Sequence, residues 1–256
     1  MGASENKRAR GAGEPGAPRK VALRVPGTFA QYRTLLLKDL QQEFRTKEML
    51  TSMGIYALLV LIVYGAALGQ SAQSTDVLQI SGGLLWSLVV FTSLLGLNRS
   101  FNHEKEQGCL EGILLVPLDR SVIFLAKATS NLLFLLVVEV IAVPLFWFFF
   151  LTTATPGPDF ALAAVPLLVG TIGVAGIGTL LSTITVNTRG KDVMLAVLFV
   201  PLIFPLLYAC ASATTAVIVG ADGYFDVFVQ SLALAGGYDV IMLLLSWVLY
   251  DFVISA

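Results

Sequence analysis

Residues 122–150 read VIFLAKATSNLLFLLVVEVIAVPLFWFFF. A hydrocarbon core takes about 20 apolar residues per helical crossing. This run is longer, and it ends in Phe146-Trp147-Phe148-Phe149-Phe150, an aromatic belt of the kind that sits at a headgroup boundary. It therefore predicts a membrane-spanning helix. The rest of the chain agrees. Of its 256 residues, 56% are hydrophobic and 13% charged, with a mean hydropathy of +0.82. Soluble domains carry about 25% charged residues, so lipid must be part of the solvent.

Working outward, further apolar runs predict spans at about 50–68, 80–97, 161–184, 193–219 and 229–250, six in all with 122–150. Asp239 and the Gly236-Gly237 pair interrupt the last run, and Asp239 and Asp251 read as interface positions near its ends. Before the first span, Thr28 and Gln31 fit a T-x-x-Q capping box. Phe29, Tyr32, Leu36, Leu40 and Phe44 then recur at helical spacing, with Arg33, Lys38, Arg45 and Lys47 around them, which predicts an amphipathic helix over 28–48 lying on the membrane surface. Residues 1–27 read as a disordered basic tail with no apolar signal-peptide core.

The cations are one-sided. Of 16 Lys and Arg residues, ten fall in residues 1–47; four are Arg99, Lys105, Arg120 and Lys127, grouped with the loop between the second and third spans; two are Arg189 and Lys191. The alternate loops carry Asp76, Asp159, Asp222 and Asp226 and no cation. The positive-inside rule then places both termini and the 99–120 loop in the cytoplasm.

Several chemistries have no sequence support. Cys109 and Cys210 form no C-x-x-C pair, so covalent haem attachment is not expected, and they read as small packing residues. Gly170, Gly173, Gly176 and Gly178 lie inside an apolar span, where glycines serve close helix packing rather than dinucleotide binding. Arg189-Gly190-Lys191-Asp192 lacks the residues of a phosphate loop, so an ATP-driven function needs a partner chain. His103, the one histidine, reads as a solvated loop residue. No metal site, catalytic residue or nucleic-acid partner is expected.

Two features point to function. Glu139 lies halfway along 122–150, where a carboxyl is costly and faces the bundle interior or a cavity. With no base in the spans to pair with it, it is expected to be protonated or to bond hydroxyls such as those of Ser130 or Thr171. It either lines a substrate or proton path or packs as a neutral acid. The second feature is FNHEKEQGCLEGILLVPLDRSVIFLAK, residues 101–127. Its acidic start holds Glu104 and Glu106, Gly108 allows a bend, Glu111 follows, and Leu110, Ile113, Leu114 and Leu118 repeat at helical spacing before Pro117 closes the turn. The pattern fits a short amphipathic helix docking in a groove of a cytoplasmic partner, or a surface-lying or re-entrant loop.

The stretch from Gly82 to Lys127 resembles the cytochrome c maturation B family, the haem exporter protein B permeases of the ABC-2-like group. The resemblance is carried by Leu85-Trp86, Leu94-Leu95, Arg99, Phe101, Glu104, Glu106, Gly108-Cys109-Leu110-Glu111, Leu114-Leu115, Pro117-Leu118 and Leu125-Ala126-Lys127. It extends weakly over about 30–255, including Lys38-Asp39-Leu40 and Tyr250-Asp251-Phe252-Val253. Cys109 and Val116 depart mildly from it. It implies an all-α, six-span ABC exporter permease of the bacterial inner membrane, not itself an enzyme, with residues 28–256 as the permease domain. Phe101, Glu104, Glu106, Gly108, Leu110, Glu111, Leu114, Pro117 and Leu118 would form the coupling element toward an ATPase. The implied partners are a CcmA-like ATPase carrying the ATP, a CcmC-like haem-handling subunit, a CcmE-like periplasmic haem chaperone and a second copy of the chain. Haem is the implied handled ligand. An ABC-2 permease for a drug, lipid or glycan, and a non-transporting scaffold for haem delivery, fit the residues as alternatives.

Overall fold

The computed structural model describes residues 27–68, 75–106, 120–151, 159–185 and 190–255. The side chains at 75, 76, 100–106, 160, 191, 192 and 251–255 are outside that description, as are the basic tail at 1–26 and residues 107–119. Among the described residues every regular element is helical. They are α1 (Thr28–Thr46), α2 (Glu48–Leu68), α3 (Thr75–Glu106), α4 (Arg120–Phe150), a 3-10 turn (Phe160–Ala163), α5 (Ala164–Thr185), α6 (Lys191–Val219) and α7 (Tyr224–Ser255). Six segments are long and apolar enough to cross a membrane: Glu48–Leu68, Val77–Arg99, Arg120–Phe150, Ala161–Thr185, Val193–Val219 and Tyr224–Tyr250.

The helices run past several sequence limits for local reasons. Beyond Leu97 the apolar run ends, but residues 98–106 contain no Gly or Pro, so α3 stays helical to Glu106. Gly236 and Gly237 do not interrupt α7, which is continuous through them, because neighbouring helices and lipid leave the backbone no better partner than itself. Thr28 is not a helix cap. The N-cap is Gly27, whose carbonyl accepts from the Gln31 N–H at 3.1 Å, and no side chain caps the helix start.

Helices α3 and α5 form the centre, each buried over more than half of its span, while α2 and α7 are buried over less than a quarter. The outside is apolar: Val140, Ile141, Phe148 and Phe149 on α4, Phe204 and Tyr208 on α6, and Val240, Leu244 and Trp247 on α7 are exposed. That much exposed apolar surface needs lipid around it. Lipid tails give no hydrophobic drive for helix to pack on helix, so association rests on close contact and hydrogen bonds.

The glycines of α5 provide the close contact. A Cβ at Gly170 would stand 2.0 Å from Trp86 Cη2 of α3, one at Gly176 would stand 2.2 Å from Leu243 Cδ2 of α7, and one at Gly178 would stand 2.2 Å from Leu97 Cδ1 of α3. Trp86 is fully buried and cannot yield, because its indole N–H donates to Thr214 Oγ1 of α6 at 3.0 Å. The Thr214 hydroxyl in turn donates to the Cys210 carbonyl at 2.8 Å, so Trp86 ties three helices together. Gly170→Ala is expected to lower the melting temperature in detergent by the equivalent of about 1–3 kcal/mol, the usual cost of overpacking. Gly83→Ala, where an added Cβ meets nothing within 4 Å, should hold or raise it.

Candidate functional site

Helix α1 meets the body by its polar side. Asp39 Oδ2 lies 3.3 Å from Lys127 Nζ and 3.2 Å from Ser130 Oγ, both on α4, and Asp39 Oδ1 lies 3.4 Å from Lys38 Nζ. The Asp39 and Lys127 side chains are each only 10% exposed. Four residues on, buried Glu43 accepts from the Leu50 N–H at 2.8 Å. Leu50 lies in the first turn of α2, where backbone N–H groups lack helical partners and a carboxylate is favoured. Between the two helices Lys47 adopts the left-handed conformation at φ 55°, and its N–H donates to the Glu43 carbonyl at 2.6 Å, closing a tight elbow.

The apolar residues of α1 divide between the body and the outside. Leu40 packs against the core, whereas Phe29, Leu37 and Phe44 are exposed, and Gln31 and Glu43 are buried. The reason is that the body offers α1 charged and N–H partners beside the apolar seat of Leu40. Lys127 is likewise not a loop cation. It is a residue of α4, within the Arg120–Phe150 span, so a base does lie inside a span. An ion pair across α1 and α4 joins residues far apart in the chain, and no local spacing announces it. The available signal was a lone lysine inside an apolar run together with an acid on the preceding amphipathic helix.

Deeper along α4 the polar contacts lack a charged base. Asn131 Nδ2 donates to Thr179 Oγ1 of α5 at 3.0 Å, and eight residues on, the two Glu139 oxygens lie 2.7 and 2.9 Å from Thr171 Oγ1. The α5 partners step back by the same eight residues, so α4 and α5 run antiparallel in a fixed register with polar rungs about 12 Å apart. Of the two hydroxyls expected near Glu139, Thr171 is the one that reaches it, and Ser130 bonds at the Asp39 end instead. Lys127, Asn131 and Glu139 thus follow one another along α4, turning from α1 toward α5.

Glu139 also lines a cavity between α3 and α4 with Leu88, Val89, Thr92, Leu135, Val138, Ala142 and Val143. Val138 and Ala142 separate it from an apolar groove between α2 and α4 that Leu50, Gly54, Ala57, Leu61 and Ile141 help to line. A second acid midway along a span, Asp239, is not at an interface. It is buried between α7, α5 and α6, its Oδ1 seated where a Gly173 side chain would be, 1.9 Å from the added Cβ, with Leu206 beside it. The absence of a side chain at Gly173 makes that seat.

Of the expected coupling residues, Phe101, Glu104 and Glu106 lie on the helical backbone at the end of α3. Gly108, Leu110, Glu111, Leu114, Pro117 and Leu118 lie outside the described residues. The nearby start of α2 and end of α3 are joined by Arg99 and Glu48, 3.0 Å apart, both substantially exposed. At the opposite end Tyr224 donates to Asp159. Among the described residues no group of acids, histidines and cysteines could hold a metal ion.

The ion pair between α1 and α4 is open to test. Lys127→Met leaves Asp39 buried with Lys38 and the Ser130 hydroxyl as its remaining partners and should cost about 3 kcal/mol. Replacing both partners, Asp39→Leu with Lys127→Met, should recover much of that loss. Thermal melting of the single and double variants gives the coupling directly.

Residues 30–250 match the CcmB protein family. The chain is 27% identical to the Heme exporter protein B of Pseudomonas aeruginosa over 189 residues, 74% of this chain and 82% of that protein. It is 27% identical to the Heme exporter protein B of Paracoccus denitrificans over 205 residues, 79% of this chain and 91% of that protein. The protein of that name from Rhodobacter capsulatus is 27% identical over 175 residues, 68% of this chain and 78% of its own length. The match spans α1 through the apolar part of α7, covering the Asp39–Lys127 pair, the α4–α5 rungs and all six apolar spans, and the chain belongs to the CcmB family.

Proposed function

We propose that this chain is the permease subunit of an ABC-type haem exporter in c-type cytochrome assembly, driven by a separate ATPase. One observation carries the reading: the family match runs across all six apolar spans, and the relatives covered over most of their length are named Heme exporter protein B. The sequence holds no phosphate loop, so the ATP belongs to the partner.

In this reading the protein sits in the plasma membrane with both termini in the cytoplasm, as the 16 one-sided cations favour. Its exposed Phe29, Leu37 and Phe44 rest α1 on the inner leaflet while Asp39 and Glu43 hold it to the body. The element from Phe101 to Leu118 meets the ATPase. Closure of the ATPase pushes on α3 and α4, which flank that element, and tilts them as rigid bodies. Glu139 lies between these two helices and lines the path the cargo takes. A haem-handling membrane subunit, a periplasmic haem chaperone and a second copy of the chain complete the assembly.

Glu111→Lys and Gly108→Pro are each expected to insert normally yet to lose coupling. Membrane-bound protein by immunoblot should be unchanged, ATPase activity of the copurified complex should fall to its uncoupled level, and c-type cytochrome should fall to background. Normal cytochrome yield from both variants would overturn the assignment of the coupling element.

A further inference from the structure

The Glu139 cavity has a second polar wall. Thr92 of α3 is 4% exposed and lines the same cavity, and among the described residues its Oγ1 has no hydrogen-bond partner. Threonines in apolar helices usually return their proton to the carbonyl one turn back. Thr171, Thr179, Thr183, Thr185 and Thr214 all do so, at 2.7–2.9 Å. Thr92 does not, which leaves its hydroxyl available to the cavity. A buried hydroxyl without a partner is costly enough that a polar occupant is favoured. The cavity measures about 10 Å³, roughly the room one water requires.

Proton counting at Thr171 bears on the other wall. Its Oγ1 lies 2.7 Å from the Leu167 carbonyl as well as 2.7 and 2.9 Å from the Glu139 oxygens. A hydroxyl has one proton. When that proton goes to the Leu167 carbonyl, as in the other threonines, the contact with Glu139 requires the carboxyl to donate. No other titratable or charged group lines the cavity from α3 or α4. Lys127 lies twelve residues away along α4, about 18 Å, and is engaged with Asp39. Asp239 is seated at Gly173.

We propose that this cavity binds one water molecule joining the Thr92 hydroxyl to a proton-carrying Glu139 carboxyl, a protonatable site between the two helices that flank the coupling element. The site does not depend on what the permease carries. The carboxyl O–H donates to Thr171 Oγ1, so the water donates to the other Glu139 oxygen and accepts from the Thr92 hydroxyl.

Infrared spectroscopy of the full-length protein in lipid vesicles at neutral pH tests this. A protonated-carboxyl C=O band is expected that shifts when the protein is labelled with carboxyl-¹³C glutamate and disappears in Glu139→Gln, but persists in Asp239→Asn. Thr92→Val should move the band to higher frequency by weakening its hydrogen bonding, and Thr92→Ser should leave it in place. If glutamate labelling leaves the region unchanged, Glu139 carries no proton and the proposal fails. If the band responds to labelling but not to Thr92→Val, the bridging water is overturned. The labelling needs no variant, so a misfolded Glu139→Gln protein does not block the test.

Discussion

A lipid tail can neither donate nor accept a hydrogen bond, and this constraint orders the whole protein. Every backbone group inside the bilayer must be paired within its own helix, so the chain is helical wherever it crosses. A polar side chain inside is stabilised most by a protein partner. The Trp86 indole finds Thr214, Asn131 finds Thr179 and Glu139 finds Thr171. These bonds also fix the packing. Two of them set the register of α4 on α5, and the third holds α3 against α6 at the point where Gly170 lets Trp86 approach. Polar satisfaction and close packing are therefore one problem here, and α5 is central to both, since it supplies the glycines and two of the three hydroxyls.

The sequence makes the spans legible because hydropathy over about 20 residues is a local property. It makes the small-residue packing of α5 legible because a glycine in an apolar run has few other uses. Partnerships are less legible. Thr171 could be anticipated as a partner for Glu139 only as a class of residue. The Asp39–Lys127 pair follows from no local period, because its members are separated by the whole of α2 and α3. Asp239 misleads for a related reason: distance from a predicted span end decides interface or interior in sequence, whereas in the structure the space left by Gly173 decides it. The element from Phe101 to Leu118 is legible only as a pattern, and residues 107–118 of it lie outside the described residues.

The two kinds of polar contact on α4 sort by position along the helix. Near its start, where water is close, Lys127 meets Asp39 as an ion pair; deeper in, the rungs at Asn131 and Glu139 involve no base. The sorting follows the cost of burying charge, which is tolerable near an interface and severe at the bilayer centre. It also divides the mechanical roles. The ion pair joins α1 to α4. The elbow at Lys47, with Glu43 bonded to the first turn of α2, joins α1 to α2 as well. The α4–α5 rungs are short and directional, so they tolerate rotation poorly.

The consequence for motion lies in what is not fastened. Among the described residues, α5 is held to α4 by hydrogen bonds and to α3 by interlocked side chains, whereas α3 and α4 face each other across the Glu139 cavity through aliphatic side chains and a Thr92 hydroxyl with no partner. Between α2 and α4 the contact is again apolar, around a groove. The α3–α4 contact is therefore looser than the α4–α5 one, and Glu139 stands where α4 meets both neighbours.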